Sequence, residues 1–144
     1  MTTLVMPVRL ADAWIAIDAT HVREVLGTRP WVALPDAPAH VPGVIPWRGR
    51  AIAVLDLGAL LGVAPALRPG EVPPRLLVAQ LDEAAFAIPI QAAREVHAVA
   101  AVEPAHATHV RLAQGQVTVG GIVMPVVSLP VAYAAVAQPG AGRA

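Results

Sequence analysis

Residues 45–62, IPWRGRAIAVLDLGALLG, carry the pattern that decides the fold. Gly49 follows Trp47 and Arg48, and glycine permits the tight turn that a chain needs before it enters a strand. The run of alanine, isoleucine, valine and leucine that comes next favours a strand. Asp56 then stands between two leucines, where a buried carboxylate can cap the following helical turn from its N-terminal side. The stretch therefore predicts a turn, a strand and a capped helix in succession.

The second half of the chain repeats this pattern. The sequence GRAIAVLDL at 49–57 aligns with GIVMPVVSL at 121–129. Two more pairs recur at nearly the same offset: IAI at 15–17 with FAI at 86–88, and REV at 23–25 with REV at 94–96. Matches at nearly one offset indicate an internal duplication, and hence a protein of two pseudo-symmetric lobes.

A proline-rich segment separates the two halves. Residues 64–75, APALRPGEVPPR, contain four prolines and a glycine, a composition that cannot form regular structure for long. We interpret this segment as a connector within a single domain at residues 4–137, whose lobes span about 4–66 and 74–137. The last residues, 138–144, are expected to form a flexible tail.

The local patterns predict a mainly β protein with few short helices. Short β-branched or alternating runs, bounded by glycine, proline or aspartate, predict strands at residues 5–10, 14–17, 51–55, 75–81, 86–90, 117–120 and 122–127. Helical turns are predicted at residues 19–25, 57–61, 90–96 and 130–137. Many short strands with few helices favour small barrels, because closing a sheet removes its exposed edges.

The composition argues against several classes of function. The chain is 56% hydrophobic, and its ten basic residues, all arginine, balance ten acidic ones. A formal net charge of zero and scattered basic residues argue against a nucleic-acid partner. Residues 112–142 carry no charge, but glutamine, glycine and proline interrupt them, so we expect no direct membrane insertion. The chain has no cysteine and its start does not resemble a signal peptide, so we expect a cytoplasmic protein.

The search for catalytic residues finds no constellation. Ser128 lacks the glycine-flanked elbow that presents a nucleophile, and the glycines near Trp47 lack the Gly-Lys-Ser/Thr sequence that holds phosphate. Glu103, His106 and His109 are spaced by three residues and would share a face of a helix, but Pro104 favours a loop, and no fourth ligand is evident. We therefore expect no enzyme activity, no cofactor and no metal.

The turn Trp47-Arg48-Gly49-Arg50 has two interpretations. One of its arginines could pair with a carboxylate such as Glu24 and serve only the fold. Alternatively, an arginine beside an aromatic ring is the composition of a protein-binding hot spot. In the second half of the chain, a glycine and an isoleucine align with Arg48 and Arg50, so the second lobe is built without either arginine. This asymmetry favours a specialised binding surface on the first lobe.

The order and spacing of these motifs resemble the CheW-like family. In that family an Asn-Leu-Arg-Gly turn leads into a strand ending in Asp-Leu and a short helix, as in WRGRAIAVLDLGALLG at 47–62. The segment HVREV at 21–25 resembles the V-x-E-V/I element, and PAHVPG at 38–43 resembles the P-x-x-x-x-G element before the arginine turn. Residues 76–96 resemble the second strand pair and the element that follows it.

The resemblance implies both a fold and a function. CheW-like proteins consist of two five-stranded, SH3-like β-barrel subdomains packed together. They are non-catalytic adaptors that couple chemoreceptor cytoplasmic tips to the regulatory domain of a CheA-type histidine kinase. By position, Arg48 matches the signature arginine near the receptor-binding groove, and Val22, Glu24 and Gly43 match positions on or beside it. Trp47 replaces the usual leucine, which suggests a divergent member, for example an accessory or decoy module that binds only one of these partners.

Overall fold

The protein, represented here by a computed structural model, is described at residues 2–68, 70–100, 102–104 and 109–137. These residues form a mainly β structure with two α-helices, which confirms the predicted fold class. The strands are β1 (Thr3–Leu10), β2 (Ala13–Asp18), β3 (Val22–Leu26), β4 (Val32–Ala33), β5 (Gly43–Trp47), β6 (Arg50–Val54), β7 (Arg75–Leu81), β8 (Ala84–Ile90), β9 (Ala92–Ala93), β10 (His97–Val99), β11 (Ala113–Val119) and β12 (Ile122–Val127). The helices are α1 (Leu57–Leu60) and α2 (Leu129–Ala137), and a 3₁₀ turn spans Ala19–His21.

The described strands assemble into two six-stranded sheets. In the first, which we call the Arg48 sheet, the strand order is β3-β7-β8-β6-β5-β4. In the second, the Gly120 sheet, the order is β10-β1-β2-β12-β11, and the two-residue strand β9 also pairs with β1. Each sheet thus contains five strands of three or more residues and one strand of two residues.

The two sheets have equivalent topology, as the internal duplication predicts. The five-strand paths β3-β7-β8-β6-β5 and β10-β1-β2-β12-β11 correspond strand for strand. Each contains one parallel pair at the same place: Val54 lies opposite Ala87 in one sheet, and Val126 lies opposite Ala16 in the other. In the repeat alignment, Val126 is the counterpart of Val54 and Ala87 is the counterpart of Ala16. The sequence repeat is therefore a structural repeat.

The two sheets divide the chain differently from the predicted lobes. The hairpin β1–β2 belongs to the Gly120 sheet, although it precedes the connector, and the hairpin β7–β8 belongs to the Arg48 sheet, although it follows the connector. Each half of the sequence therefore donates a hairpin to the sheet of the other half. The described part of the connector has no helix or strand before β7 begins. The single domain at residues 4–137 stays a prediction, and the tail at 138–144 lies outside the described residues.

A single large core joins the two sheets. It contains Ile15 and Ile17 from the Gly120 sheet together with Leu77 and Phe86 from the Arg48 sheet. Helix α2 covers this core, and the ring of Tyr133 stacks on Phe86 with the ring centroids 5.1 Å apart. Burying one such aliphatic or aromatic side chain contributes about 1.5–3 kcal/mol. The exchanged hairpins thus make the stability of each sheet depend on the other.

The structure confirms two of the four predicted helical turns. Helices α1 and α2 match the predictions at residues 57–61 and 130–137 to within one residue at each end. The prediction at residues 19–25 is wrong beyond the 3₁₀ turn, because Val22–Leu26 forms β3 and pairs with β7. The prediction at residues 90–96 is also wrong, because β8 ends at Ile90 and Ala92–Ala93 pairs with β1. In both places, pairing with a neighbouring strand overrides the local pattern.

Strand β5 was not predicted, because Pro46 lies within it. The hairpin closes with Trp47 opposite Arg50, so these residues form the hydrogen-bonded pair beside the turn. Pro46 lies opposite Ala51 at the next position, where the ladder to β6 requires no backbone N–H. The proline is therefore compatible with the strand.

Candidate functional site

The candidate site is built on the two-residue turn between β5 and β6. Arg48 and Gly49 both have positive φ angles, 47° and 79°. Two positive φ values in a two-residue hairpin define a type I′ turn, whose twist matches that of the flanking strands. Gly49 adopts this conformation without strain, as the sequence predicts, whereas Arg48 is a non-glycine residue in the left-handed region. The turn thus holds Arg48 at the tip of the hairpin.

The ring of Trp47 is the buried base of the site. Only 6% of Trp47 is exposed, and it belongs to a core cluster that includes the aliphatic side chains of Ile45, Ile52 and Val78. Its indole Nε1–H donates a hydrogen bond of 2.6 Å to Oε1 of Glu24 on β3. Because the acceptor is a carboxylate, this hydrogen bond is of the strong, charge-assisted kind. The bond fixes the orientation of the ring and ties the β5–β6 hairpin to β3.

Two arginines lie over this ring. The guanidinium carbon of Arg48 is 4.9 Å from the ring centroid of Trp47, and that of Arg50 is 5.5 Å from it. Both distances are within the range of cation–π attraction, which contributes about 0.5–1 kcal/mol at an exposed site. The structure therefore brings together Trp47, Arg48, Arg50 and Glu24, which were predicted to belong to one site. We call these four side chains the Arg48 cluster.

The sequence suggested that an arginine of the turn could pair with Glu24 and serve only the fold. The structure contains this pair between Arg48 and Glu24, but the pair is exposed to solvent. Arg48 Nη2 lies 3.5 Å from Glu24 Oε1, and the two side chains are 68% and 35% exposed. An ion pair in such a position contributes at most about 1 kcal/mol, because water screens it. The fold therefore gains little from Arg48, while the turn, the ring and the carboxylate hold its guanidinium in place at the surface.

Val22 and Gly43 occupy different surroundings from the Arg48 cluster. Val22 begins β3 and packs, half-buried, against the large core. Gly43 begins β5, and a β-carbon there would overlap the carbonyl oxygen of Val32 and the ring of Trp31. This close approach of two chain segments explains the glycine. Neither residue belongs to the Arg48 cluster, but Val22 shares β3 with Glu24, and Gly43 shares β5 with Trp47.

Asp56 is the predicted helix cap. It is 6% exposed, and its Oδ1 accepts a hydrogen bond of 3.3 Å from the backbone N–H of Ala59 in α1. Its Oδ2 accepts a second bond, of 2.8 Å, from the N–H of Leu67 in the connector. The sequence did not reveal this second contact. Asp56 therefore caps α1 and ties it to the connector.

The equivalent turn in the Gly120 sheet lacks arginine. Gly120 and Gly121 join β11 to β12 with φ angles of 56° and 80°, close to those of the Arg48 turn. The adjacent strand positions hold Val119 and Ile122 in place of Trp47 and Arg50. The β11–β12 hairpin therefore forms without a tryptophan or an arginine at these positions, so the two-residue turn itself does not require them.

The histidines form no metal site within the described residues. No group of three or more histidine, aspartate or glutamate side chains there is arranged to hold an ion. The backbone of Glu103 forms an isolated β-bridge with the backbone of Gln116. His106, the middle residue of the metal-like pattern, lies outside the described residues. In the same described part of the chain, no helix is long and apolar enough to span a bilayer.

Comparison with known proteins agrees with this architecture. The sequence profile of the CheW-like domain matches residues 4–99, which include every residue of the Arg48 cluster. A probable chemotaxis protein CheW from Rhizobium etli is 40% identical over 58 residues, and the chemotaxis protein CheW from Rhizobium meliloti is 38% identical over 58 residues. Each alignment covers 40% of this chain and 37% of the relative, so the chain matches well under half the length of these curated relatives.

A solved structure shows the same fold. The crystal structure of the scaffolding protein TtCheW from Thermoanaerobacter tengcongensis superposes with a TM-score of 0.73. The superposition covers 90% of this chain and 86% of that chain, at 21% sequence identity. At this identity the similarity establishes the fold alone. Because the family profile matches more than half of its sequence, the chain belongs to the CheW-like family.

Proposed function

We propose that the protein is a non-catalytic cytoplasmic adaptor that couples chemoreceptor cytoplasmic tips to the regulatory domain of a CheA-type histidine kinase. Membership of the CheW-like family supports this proposal, as do the names of the two rhizobial relatives, which describe chemotaxis proteins. Among the described residues, Arg48 presents its positive charge at the surface, over the aromatic ring of Trp47. Such a surface is suited to binding another protein.

The observation that carries the proposal is the exposure of a fixed Arg48. Its backbone is held by the turn, and its guanidinium lies between the ring of Trp47 and the carboxylate of Glu24. An arginine fixed in advance loses little conformational freedom when it binds, so more of its interaction energy remains for affinity. The cluster therefore has the organisation of a hot spot, with Arg48 as the contact residue.

The other proposed binding residues support Arg48. Glu24 and Trp47 position the guanidinium, and Arg50 adds a second cation beside the ring. Val22 and Gly43 lie on β3 and β5, the strands that carry Glu24 and Trp47. Substitution of these two residues is expected to weaken binding indirectly, through the position of the strands.

Affinity measurements with each partner test the proposal. The full chain is titrated with a purified receptor cytoplasmic tip and, separately, with the regulatory domain of a CheA-type kinase. The adaptor role requires binding to both, and Arg48→Ala should weaken at least one of them by about 2 kcal/mol, or roughly thirtyfold. Binding to one partner alone would support an accessory or decoy module. A folded protein that binds neither partner would refute the proposal.

A further inference from the structure

A second arginine–tryptophan pair lies beside the equivalent turn of the Gly120 sheet. The guanidinium carbon of Arg94 is 4.7 Å from the ring centroid of Trp14. Both residues border a pocket of about 70 Å³ that is also lined by Val119, Ile122 and His97. Val119 and Ile122 are the repeat counterparts of the tryptophan and the second arginine of the Arg48 cluster. The pocket therefore occupies the place in the Gly120 sheet that the Arg48 cluster occupies in the other sheet.

This second pair does not follow from the sequence repeat. In the repeat alignment, Arg94 corresponds to Arg23 and Trp14 corresponds to Ala85. The ring comes from β2, and the arginine comes from the segment between β9 and β10. The aligned positions suggested an arginine-bearing surface on the Arg48 sheet alone. The Gly120 sheet also has an arginine on a tryptophan at the same location, but other segments of the chain supply the two residues.

The two arginine–tryptophan pairs differ in whether a carboxylate contacts them. In the Arg48 cluster, Glu24 accepts a hydrogen bond from the indole N–H of Trp47 and pairs with Arg48. Its repeat counterpart, Glu95, is exposed and forms no ion pair with Arg94 or with any other described residue. A valine replaces Trp47 in this sheet, so there is no equivalent indole N–H for Glu95 to accept. The guanidinium of Arg94 is exposed and has no acidic partner in the described part of the chain.

The surroundings of Arg94 are apolar rather than acidic. The pocket is lined by Val119, Ile122 and Met124, and of these Ile122 is 38% exposed. A concave surface that is mostly apolar and carries one charged group has the composition of a binding site. The combination of one unpaired guanidinium, one aromatic ring and an aliphatic rim is complementary to a carboxylate flanked by aliphatic side chains.

We propose that the pocket bordered by Trp14 and Arg94 binds a glutamate or aspartate side chain of a partner protein whose neighbouring residue is aliphatic. The carboxylate accepts hydrogen bonds from the guanidinium of Arg94, in the way that Glu24 contacts Arg48 within the chain. The aliphatic neighbour packs against Ile122 and the rim. The protein thus has two arginine–tryptophan surfaces, of which one contains its own acid and the other takes its acid from outside. This proposal goes beyond the adaptor role and does not depend on it.

The tryptophan indole N–H resonances of the full chain provide the test. The chain has three tryptophans, at positions 14, 31 and 47, and Trp14→Phe assigns the first by removing its resonance. The probes are acetyl-leucyl-glutamyl-leucine amide and its glutaminyl analogue, which differ only in charge. The Trp14 resonance should shift with the glutamyl peptide, and the glutaminyl peptide should bind about tenfold more weakly, because the charged hydrogen bond is lost.

Two matched variants locate the binding site. Arg94→Gln should weaken the glutamyl peptide by about tenfold, whereas Arg75→Gln should leave its affinity unchanged, because Arg75 is exposed and does not line the pocket. Unchanged Trp31 and Trp47 resonances in Arg94→Gln would show that the fold is intact. The proposal is wrong if the two peptides bind equally, if the Trp14 resonance does not shift, or if Arg94→Gln keeps full affinity.

Discussion

The hairpins β5–β6 and β11–β12 share one backbone and differ in their side chains. Both close with a two-residue turn of positive φ angles, and both begin near a glycine that lies against another segment of the chain, Gly43 in one and Gly115 in the other. Only the first places a tryptophan and two arginines beside its turn. The duplication has therefore kept the residues that the backbone requires, whereas the surface of each copy has changed separately. Stability and binding are expected to respond to different residues within the same hairpin.

The largest expected effect compares the residues that cap the two helices. Asp56 accepts hydrogen bonds from Ala59 and from Leu67, whereas Ser128, its counterpart, accepts one bond of 3.3 Å from the N–H of Val131. Asp56→Ala should lower the free energy of unfolding by about 2 kcal/mol or more, because a cap is lost and the N–H of Leu67 loses its partner. Ser128→Ala should cost about 1 kcal/mol. Urea unfolding of both variants measures the difference, and equal losses would show that the bond to Leu67 contributes nothing.

The next effect concerns the two buried glycines. Gly43→Ala should lower the free energy of unfolding by about 1–3 kcal/mol, because the added methyl group overlaps the carbonyl oxygen of Val32 and the ring of Trp31. Gly115→Ala should cost a similar amount, because it overlaps Val102 and the carbonyl oxygen of Glu103. Thermal unfolding of both variants tests whether the two copies use their glycines in the same way.

Gly27→Ala is the matched control for the glycines. A β-carbon at Gly27 meets no atom within 4 Å. The substitution should therefore change the free energy of unfolding by no more than about 0.5 kcal/mol. A loss at Gly27 as large as that at Gly43 would mean that the loss reflects the removal of glycine itself rather than the close approach of two segments.

A smaller effect separates the two roles of Glu24. Glu24→Ala removes the acceptor of the Trp47 indole N–H and should cost about 1–2 kcal/mol of unfolding free energy. Glu24→Gln keeps an acceptor at the same place and removes the charge that pairs with Arg48, so it should cost at most about 1 kcal/mol. Chemical unfolding followed by tryptophan fluorescence measures both. If Glu24→Gln costs as much as Glu24→Ala, the ion pair stabilises the fold, contrary to its exposure.

The smallest expected effect exchanges the turn residues between the copies. Arg48→Gly removes a side chain from the left-handed region, and Gly120→Arg introduces one there, at φ angles of 47° and 56°. The first should change stability by a few tenths of a kcal/mol, and the second should cost up to about 1 kcal/mol. Thermal unfolding measures both shifts. A large loss in Arg48→Gly would show that the fold needs the arginine and would remove the distinction between the two hairpins.

The sequence predicted the local features of the fold better than its long-range pairing. Residue type alone indicates the turn at Gly49, the cap at Asp56 and the duplication, because each depends on a few neighbouring residues or on direct repetition. The exchange of hairpins between the two sheets could not be predicted in this way, because it depends on which strands pair across the chain. The short strands β4, β9 and β10 were missed for the same reason.

Four of the six predicted binding residues lie together in the structure, but their contacts were not predicted, and their role in binding stays a prediction. The resemblance to CheW-like proteins identified Arg48 and Glu24, and the composition of the turn identified Trp47. Nothing in the sequence indicates that Trp47 donates a hydrogen bond to Glu24, or that Arg94 lies on Trp14, because these contacts join strands that are distant along the chain. The glycine that begins the β11–β12 hairpin was overlooked as well, although its alignment with the first glycine of β5 in the repeat would have revealed it.

The most direct test of this account measures binding and stability together in Arg48→Ala. The unfolding free energy should fall by no more than about 1 kcal/mol, the most that an exposed ion pair contributes, while the affinity for the receptor tip or the kinase domain should fall by about 2 kcal/mol or more. Gly120→Arg in the same background should not restore the affinity, because Arg94 already lies on Trp14, the ring beside that turn, and Glu95, the counterpart of Glu24, forms no ion pair with a described residue. The opposite result, a large loss of stability with full affinity or a rescue by Gly120→Arg, would contradict the claim that Arg48 is a binding residue specific to its hairpin.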